Sequence, residues 1–584
     1  MTLRYTITPV PNSGTFHIEL GLSARDELLL RLPAWLPGSY MIRDMAGEIQ
    51  SLDILCGTQS IDCRKVDKST WRVQLGEKLR KVTVRYEVFA QDPSVRRAYL
   101  DSDRGFLTFS SLCLYPIGSE EEAIEIEIRE PKGVNGWKVA TELSPLEIKE
   151  NGFGRYQAEN YDELIDSPME IGPWQSIEFK AYGVCHRIIL SGKVPPFDQQ
   201  RLKSDVKRCA ETVISFFEPK TRKAPFASYS FFLNLSENLY GGLEHRASTA
   251  LAASFFDLPI VGDKTISAGY AKLLELFTHE YFHAWWVKRV KPSVFIPYDL
   301  TQETYTNLLW VFEGFTSYYD ALLTARSGAT DTESYLKSLS ETLNRHYLGS
   351  AKNRQSLAES SFDAWIKYYK VRTNRSRSVT SYYDKGALVA MALDAFIQKE
   401  SVGKHSLDDV LRFAWQQFKE VGKDYAGLDE EMMPEIIFEA TGIDVSEEID
   451  RWVYGCEEPD YKRVLKTMGI DLTEEKLPIE REVLQATLSG TNALKVSQLD
   501  EAGVAELAGL CVGDELLAID SIRVTKSNLE KLLKRYGQAK SFSLHVFRSG
   551  LLKELSVKPR KTDARKIKLS VNSNGKAFCR WLNR

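Results

Sequence analysis

Hydrophobic and polar positions alternate through the first 170 or so residues, take helical spacing in the middle of the chain, and alternate again near its end. Arg4–Val10, Thr15–Leu22, Glu27–Leu32, Trp71–Leu75 and Lys81–Phe89 are short runs of period two, which predicts strands with one buried face. Clusters of Gly, Pro, Asn and Asp between them predict turns. Many short strands separated by turns predict a β-sandwich over residues 1–170. The aromatic, Pro-Gly-rich stretch Trp35–Asp44 fits either a tight turn or a surface packed on the next domain.

Leu164–Gly172 is the expected join to a second domain. Strands are predicted within Ile177–Leu190 and at Tyr229–Leu235, with a helix over Asp198–Phe217 between them. The window Leu273–Pro292 is apolar almost all round, which predicts a helix in a domain interior. Lys288, Arg289 and Lys291 suit its C-terminus, and Pro292 its stop. From Thr301 to about Glu457 the apolar spacing is helical throughout. Past Tyr461 the pattern predicts a strand from Val496, a helix over Ser527–Arg535, and strands at Phe542–Phe547 and Leu552–Val557. The end is basic and polar, with isolated Phe578 and Trp581, and is expected to be loosely attached. The predicted organisation is multidomain α+β: 1–170, β; 171–460, mixed α/β to about 325 and helical after; 461–560, a small β-rich module; and 561–584, a basic tail.

Composition narrows the function classes. Hydrophobic content of 43% and charged content of 27% are those of a globular protein with full cores. A net charge of −4 gives no electrostatic case for nucleic acid or an anionic membrane as partner. No apolar window is long enough to span a bilayer, and the N-terminus enters strand pattern directly, without a leader signature. Eight scattered cysteines without C-x-x-C pairs predict reduced thiols and a cytoplasmic location.

The candidate chemistry begins at His279-Glu-Tyr-Phe-His283. On a helix, residues four apart share a face, so both imidazoles can close on one metal. Glu280 is turned about 100° away, where a general base for a metal-activated water would sit. With only eight histidines in the chain, two of them bracketing a Glu favour a metal over a satisfied core histidine. A catalytic zinc wants a third protein ligand. Glu313, in the apolar run Trp310–Tyr319, is a candidate because burying an unpaired carboxylate is costly; a salt bridge to Arg or Lys is the alternative. Gly241 and Gly242 allow close backbone approach to a ligand, and Glu244 can offer a carboxylate to a cation. In Ser381–Leu388, at a predicted helix start, a Tyr hydroxyl can donate to an oxyanion or be a satisfied core group.

H-E-x-x-H preceded by G-G-x-E, and followed by W-x-x-E-G-F-T and Y-x-K-G, resembles the gluzincin aminopeptidases. The Gly-Gly-Leu-Glu-His version, the Leu-Pro-Gly-Ser-Tyr loop and a C-terminal PDZ-like module resemble the glycyl aminopeptidase family rather than aminopeptidase N, whose motif reads Gly-Ala/Gly-Met-Glu-Asn. The resemblance runs from about residue 1 to 560. It implies a thermolysin-like catalytic domain with a helical extension. It also implies one zinc per chain on His279, His283 and Glu313, with Glu280 as general base and Tyr383 stabilising the oxyanion. Glu244, beside Gly241 and Gly242, would bind the free α-amine of peptide substrates, with N-terminal Gly or Ala preferred. Trp286 departs from the family pattern, which carries Asn there. Ala508–Asp520 is similar to bacterial protease PDZ domains, which implies capture of a peptide C-terminus or a bracing role. The competing readings are a thermolysin-like endopeptidase and a PDZ-mediated peptide-binding protein on a degenerate scaffold. The intact Glu280 argues against the latter.

Overall fold

Strand follows strand from the N-terminus as the alternation predicts, but the strands are longer. The computed structural model describes residues 2–582 apart from 371–372, 491–492, 561, 563 and 574. The runs predicted separately at Thr15–Leu22 and Glu27–Leu32 form one strand, Thr15–Arg31, and those at Trp71–Leu75 and Lys81–Phe89 form another, Thr70–Phe89. These two pair antiparallel along their length. The turn-forming residues between the runs are absorbed as a bulge: the register shifts at Asp26, which lies at φ 58° and faces Gly76 at φ 78°. The pair lies inside a ten-stranded sheet, and a four-stranded sheet of Lys138–Thr141, Met169–Gly172, Gly105–Leu107 and Tyr99–Leu100 lies in the same N-terminal region. Residues such as Leu3, Tyr5, Ile18, Leu30, Phe106 and Ile171, from both sheets, share one core.

Contacts divide the chain into two compact units. The first comprises Met1–Tyr305, Tyr319–Ser334 and Leu411–Asp429. Within it a five-stranded sheet follows the N-terminal β-rich domain, in the order Gln175–Ala181, Val184–Gly192, Ser228–Ser236, Ser248–Ser254, Gly241–Glu244. The crossover between the parallel strands Val184–Gly192 and Ser228–Ser236 is the helix Gln199–Phe217, capped by Asp198, as the pattern predicts. Gly241–Glu244 is an edge strand, antiparallel to Ser248–Ser254. The apolar window gives a helix over Ala268–Phe282 with His283 as its C-cap. The helix therefore stops well short of Pro292. Lys288 and Arg289 are not solvated dipole partners: Lys288 is buried against Asp166 at 2.6 Å, and Arg289 caps the carbonyls of Arg246, Ala284 and Pro225. The residues after His283 are held instead by partners that local spacing does not show, among them Asp166 and the carbonyls of Arg246 and Pro225.

The second unit comprises Thr306–Tyr318, Tyr335–Val410 and Glu430–Arg584. It is helical up to about residue 467, then turns to a C-terminal β region. There the sheet Ala486–Ser489, Lys495–Leu499, Glu515–Ile519, Phe542–Arg548, Leu551–Val557 and the helix Leu529–Tyr536 close around their own core. The tail is not loose. Lys566–Val571 pairs antiparallel with Ile470–Glu475, and Ile567 exchanges backbone hydrogen bonds with the Asn344 side chain. The helix Lys576–Leu582 then buries Phe578 and Trp581, each 2% exposed, and the Trp581 indole N–H donates to Tyr318 Oη and Asp394 Oδ2, 3.2 Å each. A basic, polar stretch hides this because two aromatics carry the attachment. Trp581→Ala is expected to cost about 3–5 kcal/mol, as for other large-to-small core changes. A denaturant midpoint equal to wild type would restore the loose-tail reading.

Among the described residues no helix is long and apolar enough to cross a membrane. None of the eight cysteines is in a disulfide among the described residues.

Candidate metal centre and peptide-binding strand

The H-E-x-x-H helix presents its two imidazoles as the spacing predicts, and each is oriented through its far nitrogen. His279 Nδ1 lies 2.9 Å from Asp320 Oδ2, and His283 Nδ1 lies 2.9 Å from the Trp286 carbonyl oxygen. Those contacts orient the rings so that the two Nε2 atoms face each other 3.2 Å apart. Two imidazole nitrogens so placed can both reach one metal ion. The departure at Trp286 leaves this untouched, since the acceptor is its backbone.

Glu313 sits in a single π-helical turn, Trp310–Gly314, running straight into the helix Phe315–Arg326. It is 2% exposed. Ligand atoms of His279, His283 and Glu313 lie within 4.8 Å of one another. Two nitrogens and one carboxylate leave a tetrahedral ion one open position, so the donor set fits a catalytic metal. The next residue, Gly314, explains how Tyr383 comes near. A Cβ on Gly314 would come 2.6 Å from Gly386 Cα, and one on Gly386 would come 2.8 Å from Gly314 Cα. The glycines of E-G-F-T and Y-D-K-G thus let two backbones touch. Tyr383, the N-cap of the helix Asp384–Glu400, is brought beside Glu313. Desolvation and the Glu313 carboxylate push its hydroxyl well above the usual phenol range, which keeps it protonated as a donor. Its oxygen lies 3.1 Å from Tyr369 Oη.

The edge strand Gly241–Glu244 carries the remaining predicted residues. A Cβ on Gly242 would lie 1.9 Å from Glu280 Oε1, so the Glu280 carboxylate occupies the space a side chain would take. Glu280 is 5% exposed. At the strand's far end Glu244 is 4% exposed, and its Oε1 finds no hydrogen-bond partner among the described residues. A buried carboxylate of this kind is suited to pairing with a cationic group. The loop Trp35–Asp44 proves to be a packed surface: Trp35 and Tyr40 are buried, and the Trp35 indole N–H donates to the Asp299 carbonyl at 2.8 Å. Gly38, at φ +89°, lies against Glu244, where a Cβ would come 2.6 Å from both carboxylate oxygens.

The sequence reading missed Asp166, Asp320 and Gly38. Asp166 is a buried hub that accepts from Arg246 N and Nε, at 2.9 and 3.0 Å, and pairs with Lys288 and His245. It thereby ties the residues just after Glu244 to the turn just after His283. Burial alone would raise its pKa, but Lys288 and Arg246 hold it well below the usual carboxylate range. A depressed folded-state pKa means the stabilisation is present above the unfolded value of about 3.9 and is lost as pH falls through the folded one. Asp166→Asn is expected to cost about 3 kcal/mol or more by stranding buried cations. It should also flatten the acid limb of a melting-temperature–pH profile; an unchanged limb would remove Asp166 as its source. Asp320 was open to the reading, about two helical turns beyond Glu313, whereas Asp166 lies too far along the chain for spacing to find it.

A His-His-Glu cluster on an H-E-x-x-H helix is a donor set that suits a metallopeptidase. Residues 4–173 match the family described as the Peptidase M61 N-terminal domain, and residues 272–389 match M61 glycyl aminopeptidase. A crystal structure of an aminopeptidase N family protein from Idiomarina loihiensis is 34% identical, with 100% of each chain covered and a TM-score of 0.94. The chain belongs to the M61 glycyl aminopeptidase family, and is a metallo-aminopeptidase that acts on peptides. Also similar are the M1 zinc metallopeptidase from Deinococcus radiodurans and native yeast LTA4 hydrolase, both 14% identical. The former covers 79% of this chain and 94% of its own with a TM-score of 0.46, and the latter 80% and 70% with 0.48. No curated protein matches.

Proposed function

We propose that one zinc ion is held by His279, His283 and Glu313, and that the enzyme removes N-terminal residues, Gly or Ala preferred, from peptides with a free amine. The observation that carries this reading is the edge strand itself: Gly242 abuts the Glu280 carboxylate, and Glu244 closes the strand's other end with an unsatisfied oxygen. Zinc, when bound, supplies Lewis acidity that makes a water easier to deprotonate and polarises the scissile carbonyl. Glu280 accepts the water's proton on its carboxylate and returns it to the leaving amine. Tyr383 donates its hydroxyl hydrogen to the carbonyl oxygen as charge grows there. Glu244 pairs with the α-ammonium, so that the first peptide bond is the one presented to Glu280.

Glu244→Ala is expected to lower kcat/KM for Gly-p-nitroanilide about 30-fold or more, the cost of truncating one side of a buried charge pair. Wild type should barely cleave N-acetylated peptides. Equal cleavage of acetylated and free peptides would make this an endopeptidase instead.

The proposed architecture has a β-sandwich over 1–170, a thermolysin-like catalytic domain over 171–460, and a PDZ-like module over 461–560 that either captures a peptide C-terminus or braces the fold. The short strands and the amphipathic helix around one core support the PDZ-like reading. Reduced cysteines and the absence of a membrane-spanning helix among the described residues support a cytoplasmic location.

A further inference from the structure

Arg96 lies in the loop between the strands Thr70–Phe89 and Tyr99–Leu100. Its guanidinium rests on the Gly-Gly end of the edge strand: Nη2 donates to the Gly242 carbonyl at 3.0 Å, and a Cβ on Gly241 would come 3.3 Å from Nη1. Gly242 is the residue that abuts Glu280, so the cation sits one residue from the proposed base, on the side away from Glu244. Among the described residues its Nε, shielded from solvent, has no hydrogen-bond partner, and no carboxylate is within ion-pair distance of the guanidinium. The adjacent Arg97 behaves differently, pairing with Glu48 at 2.7 Å and Asp92 at 3.7 Å. Holding up the N-terminal loop explains one of the five Arg96 N–H groups. It does not explain an unneutralised guanidinium, its Nε buried, on the strand that abuts the proposed base, where a charge left without a counter-ion is costly.

The order along the strand gives the charge a use. Glu244, Gly242 with Glu280, and Gly241 with Arg96 correspond to amine, scissile bond and leaving group. A strand advances about 3.3 Å per residue, so Glu244 and Gly241 are about 10 Å apart, close to the amine-to-carboxylate span of an extended tripeptide. We infer that Arg96 is a specificity determinant that binds a carboxylate on the leaving-group side of the scissile bond, which makes short peptides with an anionic end the favoured substrates. This rests on the aminopeptidase reading above. The carboxylate is either the peptide's own C-terminus or an acidic side chain just after the scissile bond, and both present the same planar anion to the guanidinium fork.

The test compares wild type, Arg96→Met and Arg96→Lys on Ala-Gly-Gly and its C-terminal amide, on Ala-Glu-amide and Ala-Gln-amide, and on uncharged Gly-p-nitroanilide. Wild type is expected to favour one anionic substrate over its neutral counterpart about tenfold or more in kcat/KM. Arg96→Met should erase that preference while holding neutral substrates within about twofold, and Arg96→Lys should keep part of it. Preference for Ala-Gly-Gly over its amide assigns the C-terminal carboxylate; preference for Ala-Glu-amide over Ala-Gln-amide assigns the side chain. No preference in wild type, or an equal loss on all five substrates, overturns the inference and leaves Arg96 a structural tie. Failure of the aminopeptidase reading looks different, since wild type would then leave Gly-p-nitroanilide intact.

Discussion

Glu280→Gln retains the metal and loses about a thousandfold or more in kcat. The amide matches the carboxylate in shape and volume, so the tight fit against Gly242 is preserved. The histidines lose nothing, because their orientation comes from Asp320 and the Trp286 carbonyl rather than from Glu280. What disappears is the ability to accept a proton, and general acid–base catalysis contributes about 10²–10⁴ in rate. Here one group serves in both directions, accepting from water and donating to the leaving amine, which places the expectation toward the upper part of that range. Metal content measured alongside turnover of Gly-p-nitroanilide decides the matter. A variant with near wild-type turnover removes Glu280 as the base, and one that loses its metal shows that the residue acts through the ligands.

Gly242→Ala is the second large effect, and it reaches the base without touching it chemically. The added methyl would lie 1.9 Å from Oε1 and 2.3 Å from Cδ of Glu280, far inside contact distance. Gly242 is not among the glycines at positive φ, so alanine meets no backbone penalty and the edge strand is expected to keep its pairing. The carboxylate must yield instead. Displacing a catalytic group by about 1 Å costs on the order of 10² in rate. The expected outcome is a loss of that size in kcat, with metal content and melting temperature close to wild type. Full activity would place the working position of Glu280 away from the strand. Gly38→Ala is not an equivalent experiment, since φ +89° adds backbone strain to the clash with Glu244.

Sequence spacing revealed those parts of the site that are local in the chain. His279, Glu280 and His283 fall within one and a half helical turns, so a motif captures them. Glu313 stood out by its apolar run and Glu244 by the two glycines before it, whereas Tyr383 was picked out only by the resemblance; the Gly314–Gly386 and Gly242–Glu280 contacts are the close approaches at these motifs. Partners far apart in the chain stayed hidden. Lys288 looked like a helix-end cation until Asp166, more than a hundred residues earlier, was seen to bury it. Arg96 carried no local signal at all, because its place is set by how an N-terminal loop meets Gly242. The two long strands were read as four for a similar reason. Asp26 and Gly76 are turn-formers by type, and only their pairing across the sheet converts the turn into a bulge.

The ribbon formed by Ile470–Glu475 and Lys566–Val571 makes the C-terminal β region an insert between two paired strands. Glu475 and Lys566 are cross-strand partners, so the chain enters and leaves the six-stranded module at neighbouring points, like a cassette spliced into the end of a hairpin. Joining them with a two-residue Asn-Gly turn would excise everything between and leave an ordinary β-hairpin, its register already set. The cut would forfeit exposed pairs such as Arg354 with Glu501, which contribute little. It would spare Trp581, which lies beyond the splice and still reaches Tyr318 and Asp394. The same cut would also break the Leu499 N–H bond to Asn374 and the Arg377–Glu506 pair, so the melting temperature of the excised protein reads how far the helical part leans on the module.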